Sequence, residues 1–156
     1  MRKLSSALAV LSLTALGAIV PATTAQAAPG CEDNHDSATS GNMYAYWNQF
    51  CEGHIGNTPN EDSDWGNSSG PFQGSDDNRA TSLLHNGTSG LAVAFYRLPG
   101  YSGGHICLTK DEKYASTLVD DNDPYANDRF SNGDPVDNRI SSHRWVDQDD
   151  CGKFMH

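Results

Sequence analysis

An all-β sandwich is the fold class this chain predicts, and three observations carry that prediction. Short runs rich in aromatic and branched residues, at 43–47, 82–84, 91–96, 105–109 and 139–146, are each bounded by Gly, Asn, Asp, Ser or Pro, the pattern of strands separated by turns. Sustained helical periodicity is absent, and its best candidate, 111–119, is weak. A six-residue pattern occurs twice, as Asp77-Asn78-Arg79-Ala80-Thr81-Ser82 and Asp137-Asn138-Arg139-Ile140-Ser141-Ser142, sixty residues apart, which implies two copies of one structural unit.

Along the chain, residues 1–27 read as an export signal. Arg2 and Lys3 open it, an apolar stretch follows, and Ala25-Gln26-Ala27 fits the small-residue cleavage rule. No later segment has the roughly 20 apolar residues that span a bilayer. The mature product, starting at Ala28, is therefore expected to be secreted, soluble and bacterial. Residues 28–41 lack apolar periodicity and read as an N-terminal arm held only by Cys31. Residues 42–147 read as the folded domain and 148–156 as a C-terminal tail. Within the domain, 57–76 and 120–136 are long polar segments, each preceding one copy of the repeated pattern, and loops of this length are usually functional or mobile.

The formal net charge is −10 at pH 7, and it becomes more negative once Arg2 and Lys3 leave with the signal. Nucleic acid and anionic membranes are poor partners for such a chain, because phosphate binding depends on lysine and arginine displacing counterions. Cations and basic protein surfaces are better ones. The four cysteines, Cys31, Cys51, Cys107 and Cys151, are an even count in an exported chain and read as disulfides. None stands in Cys-x-x-Cys spacing and no His-x-x-x-His pair accompanies them, which argues against zinc. Three pairings are open; one bridge per half, Cys31 with Cys51 and Cys107 with Cys151, is favoured.

Each repeated six-residue arc places carboxylate, amide, hydroxyl and carbonyl oxygens within a short length of backbone, the ligand set that a hard cation such as calcium takes. Asx and Ser turns without metal use the same residues, and for one copy alone that plainer reading would prevail. A second repeated signal precedes each arc. Tyr96-Arg97-Leu98-Pro99-Gly100-Tyr101-Ser102-Gly103 has two aromatics and a glycine spaced for a sharply folded hairpin, where glycine accepts positive φ and the aromatics pack over the bend. Tyr46-Trp47-Asn48-Gln49-Phe50-Cys51-Glu52-Gly53 keeps the first aromatic and the glycine but has Cys51 in the second aromatic slot.

A hairpin followed by Asx-Asx-x-x-Ser/Thr-Ser, twice over, resembles the microbial βγ-crystallin superfamily across about residues 43–147. With its export signal and four cysteines, the chain looks like the bacterial secreted peptidase inhibitors whose characterised members block metalloproteinases. The resemblance implies a βγ-crystallin-like sandwich of two Greek-key motifs with paired calcium sites at one end. It also implies the ligands: side chains of Asp77 or Asn78 and of Asp137 or Asn138, the carbonyls of Arg79 and Arg139, the hydroxyls of Thr81 and Ser141, and the carbonyls of Trp47 and Arg97 from the neighbouring hairpins. Trp47 is the least secure, because its hairpin is degenerate. Ser82 and Ser142 would hold the hairpins by hydrogen bonding. With one formal carboxylate per motif, affinities of about 10⁻⁴ to 10⁻³ M are expected.

Other chemistry fits less well, and the chain is not expected to be an enzyme. Gly100-Tyr101-Ser102-Gly103-Gly104 matches a serine-hydrolase elbow in letters, but a strand rather than a helix follows it. Asp120-Asp121-Asn122-Asp123 with Asp128 lacks the glycine of an EF-hand loop, since Ala126 stands there. Glu61 and Asp64 sit in a polar loop where carboxylates are usually solvated. Of the tryptophans, Trp145 reads as core and Trp65, in a polar loop, is the one singled out as a surface candidate. The expectation is a monomeric, calcium-binding inhibitor of an extracellular protease, acting by occlusion through 57–76 or the segment beginning at Cys107. The rival readings are a toxin-like or cell-wall-binding module and a structural calcium-stabilised protein.

Overall fold

Alternation of side chains builds two antiparallel sheets. The structure is a computed structural model that describes residues 30–119 and 128–155. The expected export signal and the Asp120-Asp121-Asn122-Asp123 segment lie outside the described residues. Strands β1 (Asn42–Tyr46), β2 (His54–Thr58), β3 (Ser82–Asn86) and β6 (Tyr114–Ala115) form one sheet in the order β2-β1-β3-β6. Strands β4 (Ala92–Leu98), β5 (Ser102–Leu108) and β7 (Ser142–Val146) form the other in the order β5-β4-β7.

The two halves exchange a segment. After β2 the chain crosses to the second sheet, where Asp62 bridges antiparallel to His143 of β7. After β5 it crosses back, and β6 pairs with β3. Each half therefore donates its third segment to the other half's sheet. The result is an all-β sandwich of two intertwined Greek-key motifs, as expected.

Inward-facing residues of both sheets make one core: Met43 and Ala45 from β1, Leu83 from β3, Val93 and Phe95 from β4, Ile106 and Leu108 from β5. The opposite faces of the same strands are also covered, by residues 31–38 on one sheet and by the segment around Cys151 on the other. The outer face of the first sheet, Tyr44, Tyr46 and Leu84, packs with Cys31 and Cys51 under helix α1 (Cys31–Ser37). On the second sheet, Ala92, Ala94, Tyr96 and Val146 pack with Cys107, Cys151 and Phe154. The cysteines pair as favoured, Cys31 with Cys51 and Cys107 with Cys151, closing separations of 20 and 44 residues. Chain-entropy reasoning gives stabilisation of about 3 and about 4 kcal/mol respectively.

Four expectations need correction. The segment expected as an arm held only by Cys31 contains α1, which is also tied by Asn34 Nδ2 donating to the Cys51 carbonyl and Asn86 Nδ2 donating to the Ala38 carbonyl. Seven residues are too few to show periodicity, so packing rather than pattern makes this helix. The weak helical candidate 111–119 instead carries β6, whose Ala115 pairs with Leu83. Strand β2 went unanticipated because Gly56 interrupts it; a Cβ there would meet the Phe72 ring at 2.9 Å, so only glycine allows that approach.

Trp65 is not at the surface: it is 0% exposed. Its ring stacks on Phe72 with centroids 4.1 Å apart and planes within 10°, so the polar 57–76 segment delivers an aromatic pair to the core. The buried Asp62 carboxylate shapes that segment by accepting from the backbone N–H groups of Asp64 and Phe72. The Trp65 Nε1–H donates to His143 Nδ1 at 2.9 Å, so the His143 proton must sit on Nε2, facing the Asn60 carbonyl at 3.0 Å. Burial holds His143 neutral and pushes its pKa down to about 4.

Candidate functional site

The repeated arcs lie against each other at one end of the sandwich. Their fourth residues, Ala80 and Ile140, are fully buried and pin each arc to the core. Their second residues, Asn78 and Asn138, adopt φ of 55° and 53°, the left-handed conformation that asparagine tolerates better than most residues. In this conformation the arcs exchange backbone hydrogen bonds. Asn78 N–H donates to the Ile140 carbonyl and Asn138 N–H to the Ala80 carbonyl, both at 2.9 Å.

Each arc is also fastened to its own half's hairpin. Thr81 N–H donates to the Tyr46 carbonyl and Ser141 N–H to the Tyr96 carbonyl. The Ser82 hydroxyl donates to the Asn48 carbonyl at 2.6 Å and accepts from Cys51 N–H at 3.0 Å. The Ser142 hydroxyl does the same between the Leu98 carbonyl and Tyr101 N–H. The final serine of each pattern thus clamps a hairpin, and the degenerate first hairpin folds like the second: Cys51 and Tyr101 take φ of 58° and 57°, Gly53 and Gly103 take 68° and 76°. The Trp47 indole lies where a Cβ on Gly53 would be, and the Arg79 guanidinium lies over its ring, 4.0 Å from the centroid.

The hydroxyl of each arc faces an amide oxygen of the other arc. The Thr81 hydroxyl faces Asn138 Oδ1 at 3.4 Å, and the Ser141 hydroxyl faces Asn78 Oδ1 at 3.5 Å. In each arc the asparagine amide donates to the preceding aspartate's Oδ2, Asn78 to Asp77 and Asn138 to Asp137, which turns the amide oxygen toward the opposite hydroxyl. The remaining carboxylate oxygens, Asp77 Oδ1 and Asp137 Oδ1, are buried and have no hydrogen-bond partner among the described residues.

These oxygens suit a hard cation. Hydroxyl–amide separations of 3.4 and 3.5 Å are long for O–H···O bonds, which centre near 2.7 to 2.8 Å. Two oxygens about 2.4 Å from one calcium ion and at right angles are about 3.4 Å apart. A cation would also supply the missing partner of each orphaned aspartate oxygen, which otherwise costs about 1 to 3 kcal/mol. Thr81, Asp137, Asn138 and Trp47 line one cavity, so the structure brings together expected ligands from both arcs and the first hairpin. Arg139 is exposed, with its N–H donating to the Val136 carbonyl, and among the described residues no hydrogen bond joins Arg97 to the arcs. Among the described residues no three His, Cys, Asp or Glu side chains gather.

Sequence reasoning missed Glu52 and Phe50, which line the same cavity. Neither belongs to the repeated pattern. The Ser102 hydroxyl donates to the Pro99 carbonyl, a turn contact within its hairpin.

No family model matches the chain, and no curated protein matches it. A solved structure described as "Evolution of the eye lens beta-gamma-crystallin domain fold" is similar to it at 14% identity, covering 70% of this chain and 89% of that chain with a TM-score of 0.49. Strand order, segment exchange and interlocked arcs themselves describe the molecule: an all-β sandwich of two Greek-key motifs, stapled by two disulfides, whose repeated hairpin–arc units meet at one end.

Proposed function

We propose that the protein is a secreted, calcium-binding peptidase inhibitor, directed at metalloproteinases, whose metal sites stabilise the domain. The observation that carries the calcium reading is the reciprocal pairing of Thr81 with Asn138 and Ser141 with Asn78 beside the orphaned oxygens of Asp77 and Asp137. Two disulfides fit an oxidising, extracellular setting. Rigidity supports inhibition, because a preorganised surface avoids the ordering cost that makes a flexible peptide a substrate. Trp65, the surface candidate for glycan contact, is buried.

Calcium at many times its dissociation constant stabilises the fold by mass action. Melting temperatures with excess calcium and with chelator are expected to differ in the wild type and to coincide in an Asp77→Ala, Asp137→Ala double variant. Equal calcium stabilisation of both proteins would remove the arcs as sites. Titration against a thermolysin-like metalloproteinase is expected to show stoichiometric inhibition; its absence at micromolar protein would remove the inhibitor reading.

A further inference from the structure

We propose that Phe50 is the anchor with which this domain plugs an apolar, basically rimmed pocket of its peptidase target, a deepening that rests on the inhibitor reading above. The exposed large hydrophobics among the described residues are Trp47, Phe50 and Leu98, and all three lie on the two hairpins beside the arcs. Phe50 is the most exposed, at 56%. Trp47 has a packing role, between Gly53 and Arg79. Among the described residues Phe50 makes no ring or cation–π contact.

Its backbone makes the case stronger. Phe50 adopts φ of 59°, a left-handed conformation that suits glycine or asparagine and is unfavourable for a bulky aromatic. At the equivalent position of the second hairpin, four residues after the aromatic, stands Gly100, with φ of 71°. The fold therefore needs the conformation but not the side chain. Surrounding bonds hold the strained turn in place: Phe50 N–H donates to the Ser116 carbonyl at 2.7 Å, Cys51 N–H to the Ser82 hydroxyl, and Cys51 is joined to Cys31. An exposed aromatic kept in strain on a held turn, with no ring stacking among the described residues, fits a recognition role.

The geometry also selects the kind of occupant. Phe50 and Cys51 are both left-handed, so this turn cannot lie extended across a cleft as a substrate strand does. It can present one ring into a pocket. Glu52 beside it is exposed and, among the described residues, has no lysine or arginine partner, while the whole chain is at −10. Charge complementarity therefore calls for lysine or arginine around the target pocket.

The test compares wild type, Phe50→Asn and Phe50→Tyr as inhibitors of a thermolysin-like metalloproteinase, below the melting temperature of all three. Asparagine relieves the strain, so Phe50→Asn is expected to melt no lower than wild type while its inhibition constant rises about 30-fold or more. Phe50→Tyr keeps the ring and is expected to stay within a few-fold of wild type. The incubated inhibitor is expected to remain intact at the Phe50–Cys51 bond. Wild-type potency in a folded Phe50→Asn, or cleavage at that bond, overturns the anchor and leaves the inhibitor reading standing. No inhibition by the wild type overturns both.

Discussion

Acidification should destabilise this domain through His143. His143 is fully buried on β7, accepts from Trp65 Nε1–H, and faces the Asn60 carbonyl with its other nitrogen. Burial lowers its pKa to about 4 from an ordinary value of 6.5. A depressed histidine pKa means that the unfolded chain binds a proton which the folded chain refuses. The associated stability is complete above pH 6.5 and is lost as pH falls toward 4. By linkage the loss is about 2 to 3 kcal/mol at pH 4.5 and levels off below both pKa values. A domain of this size should melt roughly 10 °C lower from the pH 4.5 loss alone.

The assay is urea unfolding at pH 7.5 and pH 4.5, with chelator throughout so that metal release does not contribute. The comparison is His143→Phe, which is less stable at neutral pH because Trp65 Nε1 and the Asn60 carbonyl lose their partner. Carboxylates titrate in both proteins, as do His54 and His85, whose pKa values burial also lowers. These contributions cancel in the difference. Wild type is expected to lose about 2 to 3 kcal/mol more than His143→Phe between the two pH values. Equal losses would refute the assignment of a neutral, buried His143.

Three other perturbations test the architecture of the site. Because the oxygens pair across the arcs, Thr81→Ala and Asn138→Ala should remove the same calcium site and be strongly non-additive in calcium-dependent melting, whereas Thr81→Ala and Asn78→Ala should add; the reverse pattern would restore grouping within each arc. Gly53→Ala forces a Cβ into the Trp47 indole at φ of 68° and should destabilise by about 2 kcal/mol or more in chemical denaturation, while Gly90→Ala, with no atom within 4 Å, should change stability by under about 0.5 kcal/mol. Replacing Cys107 and Cys151 together by serine should cost about 4 kcal/mol and loosen the C-terminal segment, read as faster amide exchange at Met155, whose N–H donates to the Cys107 carbonyl.

The legible parts of the molecule were those whose signal is local and repeated. The two Asp-Asn-Arg arcs and the glycine-tipped hairpins need particular residues at fixed offsets, because a left-handed turn, a buried fourth residue and a clamping serine each restrict the choice, so their type and order could be read directly. Trp65 was misplaced because its neighbours are polar. Those neighbours instead serve a loop shaped by the Asp62 carboxylate, and only the bridge from Asp62 to His143 carries the indole into the core. Helix α1 escaped notice because seven residues carry no period, and its stability comes from Cys31 and from the face of β1 and β3 beneath it.

The sequence by itself determined the all-β class, the duplicated unit and the oxygen-rich chemistry of the arcs, since these rest on turn conformations and ligand types that single residues specify. Tertiary structure alone decided which oxygens meet. Exchange of the third segment between halves interlocks the arcs, so Thr81 faces Asn138, Ser141 faces Asn78, and Phe50 and Glu52 come to rim the resulting cavity. Partners 57 and 63 residues apart are set by how two sheets pack, and no local pattern encodes that.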